Sequence, residues 1–374
     1  MGEKYYSLEE RVRILSSGSK YDSCNQARVC HTFTPDGRCI QLYKTLMTNR
    51  CSGECLYCPN RCGRDAVRAS LSPEEITKIT WDLYRRNSIE GLFLSSGIVG
   101  DPEKTSYKQL EVIKLLRSQG FKGYIHVRLM PGVPRDVLGE VSKYANKFGV
   151  NAETTCQSRY SEICPNFDYN NDILRRMSWA NEFVNKRRRE VMYGMGHGDG
   201  IVGANDTQFV IGAGGESDKE LIGAIYRFMD DYGLRRPYFM SFDPVPDTPL
   251  SDQGASPMWR EVRLYQTSYL MKDYGLKFKD LDTVLDDGGF LTDEDPKIVL
   301  ARHNKDMFPM DVNNATFNEL LMVPGIGPTT AHRIIKSRPI LDYVQLDNIG
   351  VVLKRARPYL RVGNKVQTSL EAYV

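Results

Sequence analysis

Strand-like and helix-like segments alternate along this 374-residue chain from about residue 39 to residue 275. Strands separated by helices favour an α/β fold in which helices cover a parallel sheet. Six such strands predict a partial, TIM-like (β/α)6 barrel that is open on one side, rather than a closed eight-stranded barrel. The predicted strands cover residues 39–47, 91–95, 124–129, 149–153, 207–211 and 238–242.

Two helix starts carry capping boxes, in which a hydroxyl residue and a glutamate three positions later satisfy each other's backbone amides. Ser72 and Glu75 predict a helix that begins at Pro73. Thr316 and Glu319 predict a short helix in the last part of the chain.

Four of the nine cysteines lie within residues 51–62. Cys51, Cys55 and Cys58 have the spacing C-x3-C-x2-C in the loop after the first predicted strand, which places three thiolates around one point. Thiolates select iron–sulfur clusters, zinc or copper(I). Cys62 extends the pattern to C-x3-C-x2-C-x3-C, which could instead close a structural zinc site.

The carboxyl ends of the strands, where parallel barrels carry their chemistry, hold further polar or small residues. Their convergence on one rim is not needed by a zinc ribbon, so the pattern favours a cluster over zinc. Besides the cysteine loop, the rim features are Ser95, Ser96, Gly97, Arg128, Glu153 and Gly212.

Composition and charge limit the class of protein. The sequence has no apolar run near 18 residues and no apolar signal core at its start, and its clustered cysteines are typical of a reducing compartment, so we expect a cytoplasmic protein. Residues 297–374 have a charge balance of +5, whereas the rest of the chain has −2. This asymmetry is a modest indication of a polyanionic partner for the tail.

The tail contains Leu-Leu-x-Val-Pro-Gly-Ile-Gly-Pro-x-Thr-Ala, a pattern similar to a helix–hairpin–helix module. The glycines of such a hairpin expose backbone amides at a helix N-terminus, where a phosphate oxygen binds. Residues 346–357 look like a second, degenerate copy. A helical cap used for dimerisation is the alternative. The candidate nucleic-acid-binding residues are Gly325, Gly327, Thr329, Arg333 and Lys336.

We divide the chain into an N-terminal segment (1–38), the barrel (39–275), a connecting segment (276–311) and the helix–hairpin–helix domain (312–374). The stretch 154–206 predicts a mobile flap over the site. Four cysteines outside the triplet either bind a second cluster or are small buried hydrophobic residues: Cys24, Cys30, Cys39 and Cys62.

Several blocks together resemble one family over most of the chain: residues 36–58, 84–98, 123–132, 260–271 and 308–331. They are similar to radical S-adenosylmethionine proteins with a C-terminal helix–hairpin–helix, described as DNA modification or repair proteins and linked by genomic context to a uracil-DNA-glycosylase-like partner.

The resemblance implies that Cys51, Cys55 and Cys58 hold a 4Fe–4S cluster whose open iron chelates S-adenosylmethionine. Reduction by a ferredoxin or flavodoxin then gives a 5′-deoxyadenosyl radical. The resemblance assigns the methionine amino group to the backbone of residues 95–97.

It also assigns the adenine to the end of the fifth strand, at Gln208, Val210 and Gly212, and places Tyr57 against the cluster. Glu153 is either a ribose-hydroxyl acceptor or an ion-pair partner. Arg128, if buried, needs an anion, and a carboxylate of S-adenosylmethionine or Glu153 would serve.

The sequence therefore predicts a radical S-adenosylmethionine enzyme that modifies or repairs a base of DNA or tRNA. Two alternatives stay open at this point. One is a radical enzyme for a small molecule or a protein, with the tail used for assembly. The other is a zinc-stabilised nucleic-acid-binding scaffold without catalysis.

Overall fold

A single seven-stranded sheet runs in chain order from β1 to β7. The computed structural model describes residues 6–18, 29–33, 38–194 and 203–363. The six strands from β2 to β7 are parallel, and β1 pairs antiparallel with β2. The strands are β1 (Val29–Phe33), β2 (Cys39–Leu46), β3 (Gly91–Ser95), β4 (Tyr124–Leu129), β5 (Lys147–Val150), β6 (Ala204–Ile211) and β7 (Arg236–Ser241).

This curled sheet with β1 and β7 at its edges confirms the predicted partial (β/α)6 barrel. Its strands are buried as continuous runs, as expected where helices cover a parallel sheet. The helices around it are α1 (Leu8–Gly18), α2 (Pro73–Arg85), α3 (Pro102–Ser118), α4 (Arg135–Tyr144), α5 (Gln157–Ile163), α6 (Arg175–Met192), α7 (Asp218–Asp231) and α8 (Met258–Tyr274).

Two strand predictions need correction. The edge strand β1 was missed, because only its pairing with β2 makes this short segment a strand. The strand predicted at 149–153 is β5 at Lys147–Val150. It ends early because Glu153 has a φ of 61°, and the amides of Ala152 and Glu153 both donate to the Gln208 carbonyl.

The predicted flap is wrong for most of its length. Residues 157–192 form α5, a π-helix (Tyr169–Leu174) and α6. The π-helix and α6 bury Ile173, Met177 and Val184, so packing rather than mobility fixes this stretch. The glycine-rich residues 195–202 lie outside the described residues.

The chain divides into two compact units, one of Met1–Glu216 with Arg227–Glu261 and one of Ser217–Tyr226 with Val262–Val374. The second unit contains α9 (Pro296–His303), α10 (Phe317–Met322), α11 (Pro328–Lys336), α12 (Tyr343–Asn348), α13 (Leu353–Ala356) and the paired strands β8 (Met310–Asp311) and β9 (Leu360–Arg361). Its core includes Leu320, Ile326, Ile334 and Leu346. The domain boundaries drawn from the sequence stay predictions.

Both capping boxes are present. The Glu75 amide donates to Ser72 Oγ (3.2 Å), and the Ser72 amide donates to the Glu75 carboxylate (2.9 Å). Thr316 and Glu319 form the same pair at the start of α10. Among the described helices, none combines the length and the apolar composition needed to cross a membrane.

Candidate functional site

The loop after β2 brings three thiols to one cavity. Cys51, Cys55 and Cys58 line a cavity of about 440 Å³, together with residues at the carboxyl ends of the parallel strands. Each cysteine is half-buried. The cavity lies where the strand pattern predicted the chemistry of this sheet.

Arg68 holds the backbone of this loop. Its guanidinium donates to the carbonyls of Asn60 (3.0 Å), Arg61 (2.9 Å) and Arg64 (3.0 Å), and also to Asn49 at the loop's start. One rigid, permanently charged fork therefore fixes the residues on both sides of the cysteines. Sequence reasoning missed Arg68, since nothing in its local pattern indicates four carbonyl partners.

Gly97 brings a second loop against the cysteines. A Cβ atom on Gly97 would lie 2.3 Å from the Arg50 carbonyl oxygen and 3.2 Å from the Cys51 Cβ. The Gly97 amide donates to the Thr48 carbonyl (2.6 Å). Glycine is therefore required here by close approach of two backbones.

Backbone amides point at two of the three sulfurs. The amides of Gly53 (3.3 Å) and Ile98 (3.4 Å) donate to Cys51 Sγ, and the Asn60 amide donates to Cys58 Sγ (3.4 Å). Burial raises the pKa of the Cys51 and Cys58 thiols despite these bonds. A bound metal would displace these protons, and the amides would then stabilise the thiolates.

The fourth thiol beside the triplet is Cys164 rather than Cys62. Cys62 is exposed, and the described residues that line the cavity do not include it. Cys164 is buried and its thiol hydrogen-bonds Cys55, which together with burial raises its pKa. Within the described ranges, no three His, Cys, Asp or Glu side chains converge tightly enough to hold a single metal ion.

The other cysteines proposed for a second cluster are placed as follows. Cys30 is buried in an apolar cluster with Ile40, Leu42 and Phe93, in the manner of a small hydrophobic residue. Cys39 is exposed, with its sulfur 3.7 Å from His31 Nδ1. Cys24 lies outside the described residues.

Eight of the nine residues proposed to bind S-adenosylmethionine line the cavity. Long-range strand pairing thus brings together positions that are far apart in sequence, although their individual roles stay predictions. The eight are Tyr57, Ser95, Ser96, Gly97, Arg128, Glu153, Gln208 and Val210.

Gly212 is the exception, because the described lining residues do not include it. It has a φ of +90°, its amide donates to the Glu216 carboxylate (2.5 Å), and its carbonyl accepts from Gln253 (2.6 Å). Gly212 therefore shapes the loop after β6. The buried Glu216, which also accepts from the Gly214 amide (3.1 Å), organises this loop and was missed. The sequence does contain a signal for this role, because Glu216 is an acidic residue at the end of a glycine-rich turn.

Arg128 is paired with a residue that the sequence did not indicate. It donates to Asp206 at 2.9 and 3.4 Å, and His126 Nε2 lies 2.7 Å from the same carboxylate. Asp206 is thus an anion that pairs with Arg128. Arg128 still borders the cavity, so this buried ionic group forms part of its wall.

Burial and the neighbouring charges set the protonation of this group. Burial lowers the pKa of His126 to about 4, against the attraction of Asp206, so the imidazole is neutral at pH 7. Burial alone would raise the pKa of Asp206, but Arg128 and then His126 lower it to about 2. Asp206 is therefore an anion over the whole neutral range.

The second unit presents one face of α11 to solvent. Thr329, Arg333 and Lys336 are exposed, and their spacing of four and three residues places them on one side of the helix. Gly327 caps this helix. Gly325 has a φ of +87°, and a Cβ there would lie 2.7 Å from the Val352 carbonyl oxygen.

The predicted second copy forms a short helix pair, α12 and α13, around Gly350 (φ +92°). The Val352 amide donates to the Gly325 carbonyl (3.2 Å), so the two hairpins are joined directly. Lys297, another residue that sequence reasoning missed, donates from Nζ to the Ile326 carbonyl. Burial lowers the pKa of Lys297 to about 7.

Comparison with known proteins gives a family match near the C-terminal end of the chain and structural matches over a larger share of it. Residues 311–337 match the family model of the helix-hairpin-helix motif. This confirms the motif predicted from the tail. No curated protein gave a significant match to the sequence.

Solved structures of similar architecture include HydG, a maturase of the [FeFe]-hydrogenase (TM-score 0.47, 15% identity, 61% of this chain and 48% of that chain). HydG from Carboxydothermus hydrogenoformans gives a TM-score of 0.46 at 14% identity, covering 61% of this chain and 50% of that one. Methylornithine synthase (PylB) gives 0.46 at 15% identity, covering 71% of each chain. This chain matches about half the length of the two HydG structures.

Proposed function

We propose that this protein is a radical S-adenosylmethionine enzyme that acts on a base of a nucleic acid. The observation that carries the proposal is the convergence of Cys51, Cys55 and Cys58 from one loop on a cavity at the carboxyl ends of parallel strands. Three thiols without the exposed Cys62 fit a cluster that keeps one iron free for a ligand.

The residues present fit this cofactor pair. The amides of Gly53, Ile98 and Asn60 stabilise thiolates, as the ligands of an iron–sulfur cluster require. When bound, the 4Fe–4S cluster and S-adenosylmethionine supply a 5′-deoxyadenosyl radical. Ser95, Ser96 and Gly97 would bind the methionine portion, Glu153 a ribose hydroxyl, and Gln208 and Val210 the adenine.

The tail supports a nucleic-acid substrate. The helix-hairpin-helix motif exposes Thr329, Arg333 and Lys336 on one face of a helix that begins at Gly327. Amides and cations of this kind bind phosphates and carry little sequence information. The barrel would then act on a base that has left its stack or is already unpaired.

Anaerobic reconstitution with iron and sulfide tests the cofactor assignment. We expect a brown protein that forms 5′-deoxyadenosine from S-adenosylmethionine after reduction. Cys55→Ser should abolish both properties, whereas the matched control Cys62→Ser should retain them. A colourless protein that holds one zinc ion tightly would contradict the proposal.

One observation favours the zinc-stabilised scaffold as a second candidate. Cys164 lies beside Cys55, so a fourth thiol is available next to the triplet. A scaffold would lose its zinc on Cys164→Ser. The proposed enzyme would keep an iron content close to that of the unchanged protein.

The remaining parts of the proposal concern partners and product. A ferredoxin or flavodoxin would supply the electron, and the cytoplasm, where thiols stay reduced, is the proposed location. A uracil-DNA-glycosylase-like protein is a further proposed partner, which co-purification of the two proteins tests. Mass spectrometry of nucleosides in DNA and tRNA, from cells with and without the gene, identifies the target base.

A further inference from the structure

The end of β7 and the segment after it form a wall of the cavity that the cysteine loop does not supply. We call this surface the β7 wall. It is mostly apolar, with a few polar side chains between aromatic and thioether ones. Its residues are Phe239, Met240, Ser241, Phe242, Asp243, Val245, Ala255, Ser256, Met258 and Glu261.

Glu261 is the principal polar group of the β7 wall. The Ser241 amide donates to its carboxylate (3.0 Å), and the Ser241 hydroxyl lies beside it. Burial nevertheless raises the pKa of Glu261. The carboxylate oxygens of Glu261 can accept hydrogen bonds from the donors of a ligand.

Two further polar atoms of the cavity are buried without a partner. Within the described part of the chain, Ser256 Oγ and Asn151 Oδ1 have almost no solvent-accessible area and no hydrogen bond. Both residues line the cavity. Leaving a buried polar atom unpaired is costly, so a ligand that supplies the missing hydrogen bonds would be favoured.

The charges of this wall restrict the kind of ligand. Asp243 and Glu261 disfavour a phosphate or a carboxylate at this position. Met240 and Met258, which are less buried than the phenylalanines of this wall, instead offer thioether surfaces for a flat apolar body. The complementary ligand is an uncharged planar ring with hydrogen-bond donors and acceptors on its edge, which is the chemistry of a nucleobase.

We propose that the β7 wall and Asn151, which follows β5, form a base-binding subsite, in which Glu261, Ser256 and Asn151 bind the hydrogen-bonding edge of an unstacked nucleobase. The proposal rests on the proposed function in taking a nucleic-acid base as substrate. It goes further in naming the residues that select the base and in excluding an acidic small molecule from this wall.

Equilibrium dialysis of the reconstituted full-length protein tests the subsite. The probes are adenosine, guanosine, cytidine, uridine and thymidine at millimolar concentrations, with S-adenosylmethionine saturating. We expect at least one nucleoside to bind, and Glu261→Ala and Ser256→Ala each to weaken its binding about tenfold or more. The matched controls are Glu103→Ala and Ser118→Ala, at exposed positions outside the cavity.

Either of two results would overturn the proposal. One is that no nucleoside binds, or that all variants bind it equally. The other is that the variants lose affinity for S-adenosylmethionine instead, which would assign these residues to that cofactor. Ser256→Ala removes a single oxygen, so it keeps the test valid if Glu261→Ala fails to fold.

The dialysis needs no radical, so the two proposals fail separately. A protein that makes no 5′-deoxyadenosine but binds a nucleoside through Glu261 would refute the enzyme and support the subsite. The reverse result would retain the enzyme and refute the subsite.

Discussion

Arg68 is the residue on which the geometry of the three cysteines depends most directly. Its guanidinium serves four carbonyls of the loop, and a lysine ammonium cannot reach all of them from one point. The carbonyls are local in sequence, yet their partner could not be predicted, because carbonyl orientation appears only in the folded loop.

We expect Arg68→Lys to lower the iron bound per chain after reconstitution to less than about half, because the loop loses part of its support. Metal analysis and the cluster's visible absorbance measure this. The control is Arg86→Lys, at an exposed position on another element. Unchanged iron content in Arg68→Lys would show that the loop holds its shape without the clamp.

The pair of His126 and Asp206 makes the barrel sensitive to acid. An unfolded histidine titrates near pH 6.5, whereas His126 in the folded protein titrates at about 4. As pH falls through this window, the unfolded chain gains a proton that the folded chain lacks, so the free energy of unfolding decreases. Asp206 causes a further loss of stability as the pH falls from 3.8, its ordinary pKa, to about 2, its pKa in the folded protein.

Between pH 7 and about pH 4.5, the free energy of unfolding should therefore fall in both proteins. We expect the decrease in His126→Gln to be smaller than that in the unchanged protein by roughly 2 kcal/mol. Urea unfolding followed by tryptophan fluorescence measures this, since Trp81, Trp179 and Trp259 all belong to the first unit. His303→Gln, at an exposed position, is the control. Parallel pH profiles for the unchanged protein and His126→Gln would contradict the assignment.

The close contact between the turn after β3 and the cysteine loop is possible because Gly97 has no side chain. Gly97→Ala places a Cβ within 2.3 Å of the Arg50 carbonyl oxygen, so one backbone must move. We expect a loss of about 1–3 kcal/mol in stability and a reduced iron content. Thermal unfolding and metal analysis measure these, with Gly254→Ala as the control, because no atom lies within 4 Å of its Cβ position. An iron content equal to that of the control would contradict the claim that the close contact at Gly97 supports the cysteine loop.

Elements whose signals are local were predicted well, and those that depend on distant partners were not. Ser72 with Glu75 and Thr316 with Glu319 mark their helices because a capping box is complete within four residues. The limits of β5 depend on Gln208, more than fifty residues away, and β1 needs β2 beside it. Arg128 likewise finds Asp206 only through the order of the strands.

The chain as a whole carries a cysteine-lined cavity in its first unit and a helix-hairpin-helix motif in its second. The charge balance of +5 in residues 297–374 belongs to the second unit, on which Arg333 and Lys336 are exposed. Each contact with a phosphate releases about one counterion, so the salt dependence of binding counts such contacts.

Arg333→Ala combined with Lys336→Ala should weaken binding to a single-stranded oligonucleotide about tenfold or more at low salt. It should also reduce the slope of log affinity against log salt by about 1–2. Fluorescence anisotropy at several salt concentrations measures both quantities. Lys305→Ala, at an exposed position, is the control for loss of charge. A slope that does not change would place the polymer elsewhere or remove it from the mechanism.

The β7 wall and the cysteine loop are carried by strands at opposite ends of the parallel array, and they meet only because the sheet is curled. The segment after β7 also contacts the loop after β2 directly, because Arg64 Nε donates to the Pro246 carbonyl (2.9 Å). Evolutionary change in the segment after β7 is therefore constrained by the cysteine loop, although the two lie far apart in sequence.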